Sequence, residues 1–264
     1  MDKISLHNVD IIMSYRENSI ERKENLYAVL RYFNRTFKEY TIWLMESDSE
    51  PKFDWKELSD SNVQHVFIFC VDPFPKALLY NLGVKISRSK VVYFNDVDCI
   101  PHPQVLSDCI NNILLSEANF VLCPYYGAIN VEGETKKRFL KTPDFSIFNG
   151  ISKTNLTQDT IVLYETSMGA SFIFKRQEFI RIGGMDSSFV GWGSEDNELF
   201  YRSQRLGIKW TSMDTPLFHL HHDNKNRDAW LQEAQPNVRK AYASHTMPMK
   251  DLEIHTHKLK QFFE

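Results

Sequence analysis

The chain has 264 residues, of which 42% are hydrophobic and 25% are charged, and its formal net charge at pH 7 is −3. This length suffices to bury one sizeable core, so we expect a single domain. The charge argues against a nucleic-acid partner, because no basic stripe is available for phosphates. No apolar run is long enough for a bilayer span, which argues against an integral membrane protein.

The start of the chain and its cysteines indicate a cellular compartment. Residues 1–18 lack the apolar stretch and cleavage site of a signal peptide. The cysteines form no CxxC pair, so we expect free thiols in a reducing compartment. The sequence therefore predicts a cytoplasmic protein and leaves peripheral association with the inner face of a membrane open.

Strands and helices alternate through the first hundred residues. Apolar runs predict strands at 9–13, 40–45, 65–70 and 90–95. Helical spacing predicts one helix after a capping box of Asn18 and Glu21, and another over residues 76–87. This alternation predicts an α/β fold with a mostly parallel, doubly wound sheet.

The fourth predicted strand ends in a pair of carboxylates, Asp96 and Asp98. Open α/β sheets bind ligands at the carboxyl ends of their strands. Alternation along an extended chain points both side chains the same way, and two carboxylates together suit a divalent cation. Asp-rich turns without a ligand are also common. The motif alone therefore leaves both interpretations open.

The loop after the first predicted strand lies at the same edge of the sheet. It contains Ser14, Tyr15 and Arg16. Arg16 can pair with a phosphate and Tyr15 can stack on a base. A solvated loop arginine is the alternative.

The second half has strand patterns at 119–123 and 170–175, and a short helix pattern at 176–182. Between the two strands, residues 125–165 form a long, polar stretch with little periodicity. Such stretches are typically functional or mobile loops. We expect part of this one to close over the site when ligands bind.

A Gly-Trp-Gly sequence centred on Trp192 precedes the next predicted helix, for which Ser194 is the candidate N-cap. The glycines indicate a backbone held close to a ligand. Glu195 and Asp196 then occupy the first helical turn, where the helix dipole stabilises carboxylates by about 0.3–1 kcal/mol. Acidic first-turn residues are also frequent for structural reasons alone.

A histidine cluster follows at residues 219–222. In an extended segment His219 and His221 face the same way. Imidazoles with a carboxylate suit Mn²⁺ or another first-row ion better than Ca²⁺. A solvated histidine cluster is the alternative.

Together these motifs resemble GT-A glycosyltransferases, in particular the β-1,4-galactosyltransferase and polypeptide N-acetylgalactosaminyltransferase group and their bacterial relatives in polysaccharide synthesis. The segments that carry the resemblance, in the family's order, are VDIIMSYREN, FPKALLYNLG, VVYFNDVDCIP, MGASFIFKRQEFIRIGGMD and FVGWGSEDNELFYR. The most specific is the Gly-Trp-Gly-x-Glu-Asp string that follows a Gly-Gly-Met-Asp turn. The resemblance implies one Rossmann-like GT-A domain with a nucleotide-binding half at about 1–100, an acceptor half at about 101–230 and C-terminal helices at about 231–264.

The resemblance also implies roles for single residues. Asp98 would be the direct metal ligand, joined by His219 or His221, with His219 preferred. Asp196 would be the general base beside Glu195. The residues implied to bind the donor are Ser14, Tyr15, Arg16, Phe74, Lys76, Asn81, Asp96 and Trp192.

The implied function is a Mn²⁺- or Mg²⁺-dependent, inverting transfer of a hexose or N-acetylhexosamine. The donor would be a UDP-sugar and the acceptor a saccharide or glycoconjugate, in surface polysaccharide or glycoconjugate synthesis. Three positions depart from the family pattern. Ser14 replaces a proline, Ser194 replaces a glycine, and Asn197 replaces an acid near the acceptor, which leaves acceptor specificity open.

Two other functions compete with this interpretation. A sugar-nucleotide pyrophosphorylase would share the sheet and the metal carboxylates, but it usually carries a glycine-rich basic loop that SYREN lacks. A catalytically silent sugar-binding module would be expected to have lost Asp98, Asp196 or the histidines, and all are present.

Overall fold

A computed structural model describes residues 2–58, 62–191, 193–223 and 234–264. Its strands are β1 (Ile4–Ser5), β2 (Val9–Tyr15), β3 (Phe37–Lys38), β4 (Thr41–Asp48), β5 (Val63–Phe69), β6 (Val91–Asn95), β7 (Cys99–Ile100), β8 (Phe120–Cys123), β9 (Gly127–Val131), β10 (Thr160–Tyr164), β11 (Ser171–Lys175), β12 (Lys209–Ser212) and β13 (Pro216–Leu220). Its α-helices are α1 (Ile20–Thr36), α2 (Lys76–Ile86), α3 (Pro103–Leu115), α4 (Gly133–Lys141), α5 (Arg176–Arg181), α6 (Glu195–Arg205), α7 (Gln235–Thr246) and α8 (Met249–Lys260). Short 3₁₀ turns cover Trp55–Glu57, Phe145–Phe148 and Gln261–Phe263.

The central sheet has seven strands in the order β5-β4-β2-β6-β11-β8-β12. Within this sheet β11 alone runs opposite to the others, since it pairs antiparallel with both β6 and β8. The chain moves outward from β2 to β4 and β5, then returns to place β6 on the other side of β2. This reversal creates a crevice at the carboxyl ends of β2 and β6, where open α/β sheets bind ligands.

Apolar layers cover both faces of the sheet, as expected for a doubly wound fold. One layer is formed mainly by α1 and α3, the other by α2, α5 and α6. All four cysteines are free thiols. Among the described helices, none combines the length and apolarity that a bilayer span requires.

Helix α1 begins one residue later than the predicted capping box. Ser19 is the N-cap, and its hydroxyl accepts a hydrogen bond from the backbone N–H of Arg22 at 3.2 Å. The expectation of Asn18 as the cap is therefore wrong, although Glu21 does lie in the first turn. The shift matters because it fixes where the Arg22 side chain leaves the helix.

A second, four-stranded sheet has the order β10-β9-β13-β7 and was not expected. Two of its strands, β9 and β10, and helix α4 come from residues 125–165. The expectation of a long loop there is wrong. These strands have only five residues each, and they are stabilised by partners distant in the chain, so local periodicity does not reveal them.

The second sheet brings the histidine segment to the end of β6. Strand β13 pairs antiparallel with β7, placing His219 opposite Cys99. The backbone N–H of Leu220 then donates to the carbonyl of Asp98 at 2.8 Å. Residues 120 positions apart are thus aligned by backbone hydrogen bonds.

Candidate active site

A cavity of about 770 Å³ opens at the carboxyl ends of β2 and β6. Its wall combines the end of β2, the turn after β6, strand β13 and the start of α6. Most of the residues predicted from the sequence line it: Ser14, Arg16, Phe74, Lys76, Asp96, Asp98, Glu195, Asp196 and His219. The switch point of the sheet and the polar motifs therefore coincide.

One end of the cavity holds a candidate metal centre formed by Asp98, His219 and His222. Their ligand atoms all lie within 4.8 Å of one another. The Nε2 atom of His219 is 3.7 Å from Asp98 Oδ1, and Nε2 of His222 is 3.2 Å from Asp98 Oδ2. A carboxylate with two imidazoles is a donor set that suits Mn²⁺ or another first-row ion. The residues present therefore fit the cation that the resemblance implies.

His221 does not join this cluster, contrary to the prediction from alternation. Its Nδ1 atom lies 3.1 Å from Asn130 Nδ2, and its Nε2 faces Asp223 at 3.9 Å. Strand β13 ends at Leu220, so the alternation does not continue beyond it. The chain turns there and brings His222 to Asp98 instead.

Asn130 on β9 holds the ring of His219 in place. Its Oδ1 atom accepts from His219 Nδ1 at 2.8 Å, while its Nδ2 donates to His221 Nδ1. This arrangement places the proton of His219 on Nδ1 and leaves Nε2 as a free ligand atom. Such outer contacts commonly orient metal-binding imidazoles. No local sequence signal marked Asn130.

Arg22 also reaches the candidate metal centre, although no sequence motif marks it. Its NH1 atom lies 2.8 Å from Asp98 Oδ2 and 3.3 Å from His222 Nε2. Burial alone would raise the pKa of Asp98, but Arg22, His219 and His222 together hold that pKa well below its usual range. Burial lowers the pKa of His219, which favours the neutral ring that binds metals.

Asp96 faces the same cavity as Asp98 but has different partners. Lys76 Nζ lies 3.1 Å from Asp96 Oδ1, and the hydroxyl of Tyr80 donates to the same oxygen at 2.9 Å. Strand β6 ends at Asn95 and the chain then turns, so the alternation that pairs the two carboxylates does not apply. The expectation that both face one cation together is not met.

The acidic pair forms the other end of the cavity. Helix α6 begins after Ser194, whose φ of 70° is left-handed and whose side chain makes no capping hydrogen bond to the described residues. Glu195 Oε1 lies 3.5 Å from Lys76 Nζ, and Asp196 Oδ1 accepts from the backbone N–H of Asn197 at 2.8 Å. Burial, and then the nearby Asp196, raise the pKa of Glu195 to about 7, although Lys76 opposes the shift.

Gly169 makes room for the carboxylate of Asp196. Its φ is +79°, and a Cβ atom at this position would lie 1.9 Å from Asp196 Oδ2. Any other residue would therefore displace the acid, in addition to the backbone strain. Asp196 can occupy this place because the turn before β11 carries no side chain at position 169.

Residues 21–227 match the family described as "Glycosyltransferase like family 2". The chain belongs to this family. The β-1,4-galactosyltransferase 5 of Danio rerio is 29% identical over 143 residues, which are 52% of this chain and 28% of that protein. The β-1,4-galactosyltransferase 1 of Bos taurus is 22% identical over 220 residues, which are 82% of this chain and 40% of that protein. The chain thus spans less than half the length of these two relatives.

A solved structure agrees with the fold. Glucosyl-3-phosphoglycerate synthase from Mycobacterium tuberculosis, in complex with Mn²⁺, UDP and phosphoglyceric acid, superposes with a TM-score of 0.53 at 13% identity. The match covers 91% of this chain and 79% of that one. The expectation of a GT-A fold is therefore confirmed.

Arg16 supports the wall of the cavity. Its guanidinium donates to three backbone carbonyls, those of Ser47 at 2.7 Å, Asp72 at 2.8 Å and Cys70 at 3.1 Å, and lies over the ring of Phe74. These bonds tie the end of β4 to the segment that follows β5. Much of the capacity of Arg16 to bind a phosphate is therefore already used.

Two other predicted donor-binding residues do not line the cavity. Tyr15 is 1% exposed and packs in the core, so it is not available to stack on a base. Asn81 is also buried, and its amide pairs with the backbone of Met185 at 2.7 and 2.9 Å, which fixes the Gly-Gly-Met turn to α2. Trp192 lies outside the described residues.

Proposed function

We propose that this protein is a metal-dependent, inverting glycosyltransferase that moves a hexose or N-acetylhexosamine from a UDP-sugar to a saccharide or glycoconjugate acceptor. One observation carries the proposal: a single cavity holds a carboxylate–imidazole cluster at one end and an acidic pair at the other. Family membership and the galactosyltransferase relatives support it. The structural neighbour with Mn²⁺ and UDP supports the choice of cation and nucleotide.

The charges of the cavity call for a cation before a diphosphate can enter. Its acidic side chains are Asp96, Asp98, Glu195 and Asp196, and its basic ones are Arg16, Arg22 and Lys76. When bound by Asp98, His219 and His222, a divalent ion supplies Lewis-acid neutralisation of the departing diphosphate. Asn130 keeps the free nitrogen of His219 directed at this position.

The acidic pair supplies the proton acceptor. We assign Asp196 as the general base, which removes the proton of the attacking acceptor hydroxyl from a distance of about 3 Å. Its position in the first turn of α6 stabilises the ionised carboxylate. Lys76 contacts both Glu195 and Asp96, and so it fixes the position of the acidic pair relative to the part of the cavity that would bind the donor. A single base opposite the leaving group gives inversion.

We further propose that the two halves of the domain have different roles, with His219 and His222 of the second half completing the metal site. We assign donor binding to about residues 1–100 and acceptor binding to about residues 101–230, followed by the C-terminal helices. The pathway that fits the relatives is surface polysaccharide or glycoconjugate synthesis. We propose that the reaction takes place in the cytoplasm, with peripheral association of the protein at the inner face of the membrane.

A donor screen tests the proposal. The protein is incubated with UDP-glucose, UDP-galactose, UDP-N-acetylglucosamine or UDP-N-acetylgalactosamine, Mn²⁺ and a panel of saccharide acceptors, and the released UDP is measured. We expect turnover with one donor class, its loss in excess EDTA, and recovery on adding Mn²⁺. Full activity in EDTA would contradict the metal assignment, and the absence of acceptor-dependent UDP release with every donor would contradict the function.

A further inference from the structure

Arg22 occupies an unusual position for a cation. It lies in the first turn of α1, where the positive end of the helix dipole disfavours a basic side chain. Its backbone is fixed by the Ser19 cap, and its side chain extends into the cavity. Among the described residues, the hydrogen-bond partners of its guanidinium are Asp98 and His222, which are two of the three candidate metal ligands.

We propose that Arg22 is a displaceable cation: it keeps the metal ligands assembled before the metal binds, and it turns to the donor diphosphate once the metal has replaced it. This inference rests on the proposed function, because it takes Asp98, His219 and His222 as the ligands. It adds a residue that acts at two successive steps of substrate loading.

Displacement follows from the shared atoms. The NH1 atom of Arg22 is 2.8 Å from Asp98 Oδ2 and 3.3 Å from His222 Nε2. A small divalent ion binds such oxygen and nitrogen atoms at about 2 Å. The guanidinium and the ion would then approach the same lone pairs, and their charges repel strongly in a buried site. Arg22 and the metal therefore compete.

The ligand cluster needs a cation in the absence of metal. The Asp98 side chain is only 4% exposed, and a buried carboxylate without a partner is strongly disfavoured. Arg22 supplies that partner from the cavity side, where its own side chain is 18% exposed. Arg22 thus holds the Asp98 carboxylate in place, and its own side chain can still move away from the cluster into the cavity.

The cavity gives the displaced guanidinium a second partner. Arg22 lines the same space as Ser14 and Asn18, at the switch point where the diphosphate is expected. Arg16, the other arginine there, is engaged with backbone carbonyls. Arg22 therefore has the planar donor geometry that suits a diphosphate and no competing backbone contact within the described residues.

The test measures two affinities with opposite expected changes. Mn²⁺ binding without nucleotide is followed by electron paramagnetic resonance of the free ion, and UDP binding at saturating Mn²⁺ by calorimetry. We expect Arg22→Gln to bind Mn²⁺ at least about fivefold more tightly, since coupling between competing ligands is commonly 5- to 150-fold. We expect the same variant to bind UDP about tenfold more weakly, because it loses a charge-assisted hydrogen bond. Lys23→Gln, one position along the same helix and paired with Glu17, should change neither affinity.

The outcomes separate this inference from the proposed function. Unchanged or weaker Mn²⁺ binding in Arg22→Gln overturns the competition, and unchanged UDP binding overturns the second role. If Mn²⁺ binds none of the proteins, the metal site itself is wrong and the inference falls with it. A crystal structure of the wild type with Mn²⁺ and UDP decides the matter without any variant: Arg22 should contact the diphosphate, and an Arg22 that still contacts Asp98 beside the bound ion overturns the proposal.

Discussion

The two ends of the cavity hold buried carboxyl groups whose pKa values shift in opposite directions. At one end, burial would raise the pKa of Asp98, but Arg22 and the two histidines outweigh burial and lower it well below its usual range. At the other end, burial and the neighbouring Asp196 raise the pKa of Glu195 to about 7 against the effect of Lys76. Carboxyl groups whose pKa values are separated in this way can take different roles in one reaction.

The two ends also differ in how the chain builds them. The end that contains Asp98, His219 and His222, here called the metal end, is held by backbone pairing of β7, β9 and β13. The end that contains Glu195 and Asp196, here called the acidic end, depends on the junction between a loop and α6. The backbone there has positive φ at Gly191, Gly193 and Ser194. In the proposed reaction, metal binding would therefore depend on sheet register, and proton transfer would depend on the conformation of a short turn. Substitutions should damage one without the other.

The largest effect is expected for Asp196→Asn, which keeps the shape of the side chain and removes the proton acceptor. Loss of a general base typically lowers the rate by about 10²–10⁴-fold, so turnover should fall by that factor. The affinity for UDP with Mn²⁺ should change little, because its contacts lie at the metal end. Steady-state kinetics and calorimetry of the same preparation measure both.

Asp251→Asn is the matched control for this prediction. Asp251 is also an acid in the first turn of a helix, but it is exposed on α8. Its substitution should leave turnover at the wild-type level. If Asp196→Asn loses UDP–Mn²⁺ binding as severely as Asp98→Asn does, Asp196 belongs to the metal site or to folding and is not the base.

The next effect distinguishes two adjacent histidines. His222→Ala removes a candidate ligand, so Mn²⁺ affinity should fall by about 10²–10³-fold, beyond the range usual for outer contacts. His221→Ala removes contacts with Asn130 and Asp223 but no candidate ligand, and it should cost less than about tenfold. Direct Mn²⁺ titration of both variants measures the difference. Equal losses, or a larger loss for His221→Ala, would restore the assignment made from alternation.

The pH dependence of stability sharpens the contrast at the acidic end. The pKa of Glu195 is raised from 4.5 to about 7 on folding, so the folded state keeps this proton longer than the unfolded state. The contribution of Glu195 to stability should therefore be constant below about pH 4.5 and decrease as the pH rises from there through 7, by about 3 kcal/mol in total. Glu195→Gln removes this loss. In urea unfolding, the free energy of unfolding of the variant should therefore rise relative to that of the wild type between pH 5 and 8.

Glu253→Gln, exposed on α8, is the control and should follow the wild-type pH profile. Parallel profiles for Glu195→Gln and the wild type would show that Glu195 ionises normally in the folded protein. Of the two carboxyl groups compared here, only Asp98 would then have a shifted pKa.

The sequence predicted the first half of the fold because each of its long strands contains an apolar run. Strands β2, β4, β5 and β6 lie where these runs occur, with ends shifted by a few residues. The second sheet was missed for a physical reason. Its strand β7 has two residues, and β9 contains a buried polar side chain, Asn130. Strands β7 and β9 form because distant segments of the chain pair with them, and no local sequence pattern predicts this pairing.

The same distinction applies to the candidate site. Asp98, Glu195, Asp196 and His219 stand in motifs that mark them in the sequence, and the structure places all four in the cavity. Arg22 contacts Asp98 across 76 positions, and no motif connects the two. His222 was missed because the sequence does not show that β13 ends before it. Residues that complete the site through tertiary contact are thus the ones that sequence patterns omit.

The smallest effect is expected for Asn130→Ala, which acts on the metal end without removing a ligand. His219 loses the acceptor of its Nδ1 proton, so its ring and tautomer are no longer fixed, and Mn²⁺ affinity should fall by about 10- to 100-fold. Asn130→Asp keeps an acceptor oxygen for His219 and should bind Mn²⁺ more tightly than Asn130→Ala. Asn149→Ala, at an exposed position, is the control and should bind as the wild type does.

This variant gives the most direct separation of the two ends. Because Asn130→Ala weakens metal binding but leaves the acidic pair intact, a high concentration of Mn²⁺ should return its turnover to near the wild-type value. The same addition should not restore Asp196→Asn, whose missing group is the proton acceptor. Equal Mn²⁺ affinities for Asn130→Ala and Asn130→Asp would show that the oxygen facing His219 is not what positions the ring. Turnover of Asn130→Ala that stays low in saturating Mn²⁺ would show that the second sheet also positions the acidic end, and the two ends of the cavity could then no longer be treated as independent.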